Sequence, residues 1–233
     1  MARKNVSKTS KAPTTESRRD RRKRETRERL LRAAMTLMAT RPKEAITINE
    51  ITEAADVSFG SFYNYFESKE DIFERLAEEF LDAFAESLNR LAEVTDDPAE
   101  VLAASVRSAL LRATEDPVWG RFFIQLSVST RVFAHRPGQA FLRDIQAGLD
   151  AGRFHVSDPS MAIIAVSGTI LAAAVVASEL PDGEELAAED ASPVRLETAE
   201  LPERTASAIL QTLGLQRSDA VEVARRPLPE PAE

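Results

Sequence analysis

The sequence predicts an all-α protein built from a small N-terminal helical domain and a larger helical domain behind it. Apolar residues recur at three- and four-residue spacings along nearly the whole chain, while no segment alternates apolar and polar residues between turn signals. Three helix starts also crowd into residues 47–73. At 233 residues, with 43% apolar and 29% charged side chains, the chain is long enough for two domains with a sizeable core.

Residues 1–17 are polar and basic without apolar periodicity and read as a disordered arm. A helix is expected from about Arg18 to Thr40, with Leu30, Ala34 and Leu37 on one face and Pro42 just past its end. Thr47 and Glu50 then form a capping box that opens a short helix bearing Ile48, Ile51 and Ala55. Asp56 breaks it. Ser58 caps a second short helix, with Val57 stapling against Phe62, and Ser68 caps a third that carries Phe73, Leu76, Phe80, Phe84 and Leu88 as one stripe.

Further helices are expected from Pro98, from Pro117 (Trp119 through Leu126 and on to Phe133), after the interruption at Pro137-Gly138, from Pro159, and from Pro202 to Gly214. Residues 181–201 read as a long acidic connection and 216–233 as a disordered tail. Residues 161–177 are apolar, but they are too short, too rich in Ala and too interrupted by Ser167, Gly168 and Thr169 for a membrane span. They are expected to be a buried helix, so no membrane partner is anticipated. The basic N-terminus lacks the apolar core of a secretory signal.

The net charge of -8 conceals a division. Residues 1–70 hold 16 Lys/Arg against 10 Asp/Glu, whereas the remainder holds 14 against 28. The N-terminal part therefore suits a polyanion and the body does not, although a solvated charge run gives the same count. The chain has no cysteine, which excludes disulfides, thiolate metal sites and cysteine nucleophiles and fits a reducing cytoplasm. No nucleophile elbow, phosphate loop, zinc motif or dinucleotide fingerprint is present, so an enzyme is not expected. His135 and His155 lack neighbours at metal-ligand spacing; neither a metal nor another cofactor is expected.

Two stubby helices braced by longer ones form the layout of a helix-turn-helix, whose second helix enters the DNA major groove. Its first turn here is Ser58, Phe59, Gly60 and Ser61, followed by Tyr63, Asn64 and Tyr65. Phe59 suits a thymine methyl, and the hydroxyls of Ser61, Tyr63 and Tyr65 suit phosphate oxygens. Asn49 suits a base edge or a phosphate. Lys69, at a helix N-terminus, completes an anion site. The arginine-rich stretch ahead of the helix-turn-helix suits a neighbouring minor groove or phosphate backbone, with a solvated tail as the alternative, and the alternative for the tyrosines is plain core packing.

At these residues the sequence resembles the DNA-binding signature of TetR-type regulators: I-x-x-I-x-x-A-A, V-S at the turn, G-S-F-Y-N-Y-F, then S-K-E-D-I-F. Asp56 replaces the usual turn glycine. The resemblance implies about nine or ten helices, with a DNA-binding domain over 18–68 and a ligand-binding and dimerisation domain over 69–215. It implies phosphate contacts from Thr47, Ser61, Tyr63, Tyr65 and Lys69, and readout near Asn49, Phe59, Gly60 and Asn64. It further implies a homodimer paired through residues 161–177 and 202–213, reading a palindrome in double-stranded DNA as a repressor under a small-molecule effector. Trp119, Phe122, Phe123, Leu126, Phe133 and Phe141 are candidates to line the effector site, with Gln125 and His135 as polar contacts; ordinary core is the alternative for the aromatics. A ligand-independent architectural DNA-binding protein is the rival function.

Overall fold

The computed structural model describes residues 17–93, 95–128, 133–180, 185–186 and 196–228. Ten α-helices follow in order: α1 (Arg18–Met38), α2 (Ile48–Ala54), α3 (Phe59–Phe62), α4 (Lys69–Ala92), α5 (Pro98–Glu115), α6 (Pro117–Ser127), α7 (Arg136–Asp150), α8 (Pro159–Glu179), α9 (Leu201–Thr212) and α10 (Arg217–Ala224). The exception to the all-α class is an antiparallel ladder of two residues per strand, β1 (Glu185–Leu186) with β2 (Leu196–Glu197).

Side-chain caps open six of the helices, as anticipated at Thr47 and Ser68. Ser17, Thr47, Ser68, Asp97, Asp116 and Asp158 each accept a hydrogen bond from a first-turn N–H. At α2 the exchange is reciprocal, because Thr47 N–H donates to Glu50 Oε2 at 2.8 Å while Glu50 N–H donates to Thr47 Oγ1 at 3.3 Å. Ser58 differs: its hydroxyl pairs with Ser61 Oγ at 2.7 Å and caps no backbone group, and α3 is a single turn.

Three expectations are corrected. Residues 217–224 are α10, not tail, since Ala220, Val223 and Ala224 form an apolar stripe buried against α5 and α9. The stripe is short and alanine-rich, which makes its periodicity weak. Helix α6 ends at Ser127, so Phe133 lies beyond it. Residues 161–177 are not a buried helix: α8 packs one face on α5, α6 and α9, and leaves Met161 and Ile164 more than half exposed. By length and composition α8 would suffice to cross a membrane, yet Ala162, Val166, Ala173 and Ala174 pack in the protein core. The arm of residues 1–16, most of the 181–195 connection and residues 229–233 lie outside the described residues.

The C-terminal body is held by ion pairs as well as carbon. Arg153 bridges Asp97 at the start of α5 (3.1 Å) to Asp219 on α10 (2.6 Å), and Arg226 reaches Glu100 at 3.0 Å. Arg107 on α5, only 9% exposed, donates to Glu203 of α9 and to the Arg226 carbonyl, which ties three segments together.

Candidate nucleic-acid interface and ligand cavity

The N-terminal unit is organised around Phe62, Ile46, Ile51, Leu30 and Ile72, all fully buried. Because α3 is one turn long, it spends one side chain, Phe62, as its anchor; Phe66 then packs beside it with ring centroids 5.6 Å apart. The α2–α3 connection is a Schellman turn. Val57 N–H donates to the Thr52 carbonyl at 3.0 Å and Asp56 N–H to the Glu53 carbonyl at 3.1 Å, with Asp56 at φ 52°. Asp tolerates this left-handed conformation better than most residues, so the turn survives the missing glycine.

Anchoring Phe62 inward turns the rest of α3 outward. Phe59 is 49% exposed and Tyr63 53% exposed, in edge-to-face contact at 5.6 Å. Ser58, Gly60 and Asn64 are also exposed, and a Cβ built on Gly60 would meet no atom within 4 Å. Tyr63 is therefore surface, whereas Tyr65 is half-buried against the core. Asn49 is exposed on α2. Thr47 is exposed, but its hydroxyl donates to Glu50 Oε2 at 2.8 Å and accepts from Glu50 N–H, so a phosphate would compete with the capping box. Those bonds and Arg41, 2.7 Å away, hold the Glu50 carboxyl at about 2, well below its usual 4.5. Lys69 Nζ donates to the Glu44 carbonyl at 3.4 Å, a long bond that leaves the ammonium half-exposed beside the first turn of α4.

Two helices connect this unit to the body. Helix α4 is 24 residues long, or about 36 Å at 1.5 Å per residue. It is fastened to α1 by an Arg27–Glu79 ion pair and carries Phe84 and Leu88 into the second domain. Helix α6 touches α1 through Gln125, whose Nε2 donates to the Met38 carbonyl at 2.6 Å.

Between α4, α5, α6, α7 and α8 lies a cavity of about 260 Å³. Of the candidate residues, Phe123, Phe133 and Phe141 line it, joined by Phe84. Trp119, Phe122 and Leu126 do not. Trp119 stacks on Phe123 at 5.1 Å, Phe122 is fully buried against Phe80, and Leu126 packs partly buried against the core. Helical periodicity groups these residues on one stripe but does not say which reach past the first packing layer. Gln125 is committed to Met38, and His135 is an exposed residue at the start of α7; neither contributes to the lining.

The cavity's polar side chains are ones that sequence reasoning did not assign to it: Ser105 on α5, Ser127 at the end of α6, Asp144 on α7 and Ser167 on α8. The signal was a small or acidic residue inside an apolar stripe, as Ser105 is before Val106 and Asp144 is before Ile145. The Oγ atoms of Ser105 and Ser167 are buried without a hydrogen-bond partner among the described residues. Leaving such a hydroxyl unpaired costs about 1–3 kcal/mol. Burial also pushes the Asp144 carboxyl up from its usual range, with Arg143 opposing weakly from 4.0 Å.

Residues 97–226 match the family model described as Tetracyclin repressor-like, C-terminal domain, and residues 30–76 match that of bacterial regulatory proteins, tetR family. Over 76 residues the chain is 33% identical to the HTH-type transcriptional repressor KstR2 of Mycolicibacterium smegmatis, spanning 33% of this chain and 37% of that repressor. The solved structure of RolR in complex with resorcinol is 34% identical, with a TM-score of 0.63 over 90% of this chain and 98% of RolR. FadR of Bacillus subtilis, solved with stearoyl-CoA, shares the fold at 16% identity and a TM-score of 0.60, over 80% and 97% of the two chains. With the helix-turn-helix matched at one end and the regulatory body over more than half the chain, this protein belongs to the TetR family of DNA-binding transcription regulators.

Proposed function

We propose that the chain is a dimeric, effector-responsive repressor that reads a palindromic operator with the outer face of α3. One observation carries this reading. A single-turn helix leaves two large aromatic side chains, Phe59 and Tyr63, half exposed beside the bare backbone of Gly60, an arrangement that leaves much apolar surface in water but has a direct use in a major groove. Thr47, Ser61, Tyr63, Tyr65 and Lys69 take phosphate roles, and Asn49, Ser58, Phe59, Gly60 and Asn64 lie at the bases. Residues 18–68 with the start of α4 form the DNA-binding unit. The remainder, now including α10, forms the effector and dimerisation unit.

Support for the dimer comes from α8, whose outer face presents Met161, Ile164, Ala165, Gly168 and Ala172 to solvent. Small residues along that stripe permit close approach of a second α8, with exposed positions of α9 beside it. Two copies would place their α3 helices on half-sites ~34 Å apart. The effector enters the cavity, where Phe84 of α4 and Phe123 of α6 belong to the two helices that reach the DNA-binding unit. A coupling of about 1–3 kcal/mol through them changes operator affinity some 5–150-fold. The RolR–resorcinol complex supports a compact effector in this body.

The test is selection of binding sites from random DNA by the full-length protein, followed by sedimentation analysis of the complex. A palindrome bound by two copies is expected. Equal affinity for every sequence would instead make the protein architectural, and a monomer on DNA would refute the α8 pairing. In the cell the protein acts on cytoplasmic DNA.

A further inference from the structure

We infer that the first turns of α1 form a second DNA contact, in which Arg18, Arg19 and Arg22 grip the phosphate backbone and supply most of the sequence-independent affinity. The inference rests on the DNA-binding reading above and adds a separate element to it.

Charge locates that element. Residues 30–70, which run from the packed part of α1 through the helix-turn-helix to the start of α4, hold 4 Lys/Arg against 6 Asp/Glu. Residues 17–29 hold 8 against 3. The part that reads bases is therefore net negative, and within residues 17–70 the attraction for a polyanion is concentrated in α1.

Packing leaves these charges free. Every side chain from Ser17 to Glu25 is exposed, and the first fully buried residue is Leu30. Arg18 to Glu25 thus stand clear of the core as about 12 Å of helix. They stay helical because Ser17 caps α1, and because Arg21–Glu25 at 3.3 Å and Arg24–Glu28 at 3.2 Å bridge successive turns. Arg18, Arg19, Arg22 and Lys23 have no carboxylate partner among the described residues. Helical spacing puts Arg18, Arg22, Arg29 and Arg32 on one side of α1, facing away from buried Leu31 and Ala34.

Placement and cost both point to a duplex. At residues 27–29 α1 passes the two ends of α3. Arg29 stands 3.9 Å from Asp56 in the preceding turn, and Arg27 lies over the Phe66 ring just after it, 5.7 Å from the centroid. The end of α1 held to α6 of the body is the other one, where the Met38 carbonyl accepts from Gln125. The cations also sit at the wrong end for helix stability. Six fall within the first seven residues of α1, offset there by Asp20 alone, and none falls in the last turn. The helix dipole disfavours that arrangement, and phosphates along the stripe would relieve it. Arginine suits such a partner, because its fixed fork of donors matches phosphate oxygens.

Fluorescence anisotropy of the full-length protein, on a random-sequence duplex and on the selected operator at several salt concentrations, tests this. The variant Arg18→Gln/Arg19→Gln/Arg22→Gln is compared with Arg90→Gln/Arg121→Gln/Arg217→Gln, which removes as many exposed cations from the body. Glutamine keeps the helix propensity of arginine, so α1 stays folded without the charge. The α1 variant is expected to lose at least about tenfold in affinity on both duplexes alike at about 0.15 M salt, and to flatten the salt dependence by about two units of slope or more. The body variant should change affinity by less than about twofold. The assignment is overturned if the α1 variant keeps the wild-type slope, if it loses affinity for the operator alone, or if the body variant loses as much. Equal binding of both duplexes by the wild-type protein would sink the α3 reading, while a loss by the α1 variant on the random duplex would still uphold the contact from α1.

Discussion

Replacing Gly60 with Ala should make the protein more stable and a poorer DNA binder. Gly60 lies within α3, its φ is not among the positive values, and an added Cβ finds open space in every direction. Ala therefore fits without strain. It should add about 0.5–1 kcal/mol through helix propensity and the reduced freedom of the unfolded chain. For a chain of this size that amounts to a rise in Tm of roughly 1–4 °C. On the operator the same methyl group occupies the space through which backbone would approach the base edges. Losing one such contact, worth about 1–3 kcal/mol, lowers affinity by tenfold or so. Chemical denaturation and fluorescence anisotropy on the selected operator measure the two effects separately. A variant that gains stability and keeps full affinity would show that α3 does not bring Gly60 to the DNA; a destabilised variant would contradict the open space around it.

Lys69→Ala should weaken binding to all sequences alike and reduce the salt dependence by about one unit of slope, measured by titration at several salt concentrations. Glu50 gives a pH signature. Its folded-state value of about 2 lies below the ordinary 4.5, so its contribution is present above about 4.5 and is lost as pH falls towards 2. Acid denaturation of Glu50→Gln should lack that component, and an unchanged profile would mean that the Thr47–Glu50–Arg41 contacts do not form in solution. Phe122→Ala removes a fully buried ring packed 4.8 Å from Phe80 and should cost about 3–5 kcal/mol in urea unfolding; a loss below 1 kcal/mol would contradict the packing.

Local chemistry determined much of this protein directly from sequence. Ser, Thr and Asp before apolar runs, and Pro at first turns, mark helix starts because they act on backbone groups one to three residues away. The staple expected between Val57 and Phe62 likewise marks Phe62 as the inward side of α3. Tertiary structure decided what depends on depth and on partners distant in sequence. Trp119 and Phe123 lie on the same stripe of α6, yet only Phe123 reaches the cavity, because the position of α4 and α7 determines where the first packing layer ends. The same holds for Ser105, Ser127, Asp144 and Ser167, which come to line one cavity only when α5, α6, α7 and α8 converge. Helix α10 was hidden for a related reason: its alanines are buried against α5 and α9, so nothing within eight residues announces a helix that its neighbours stabilise.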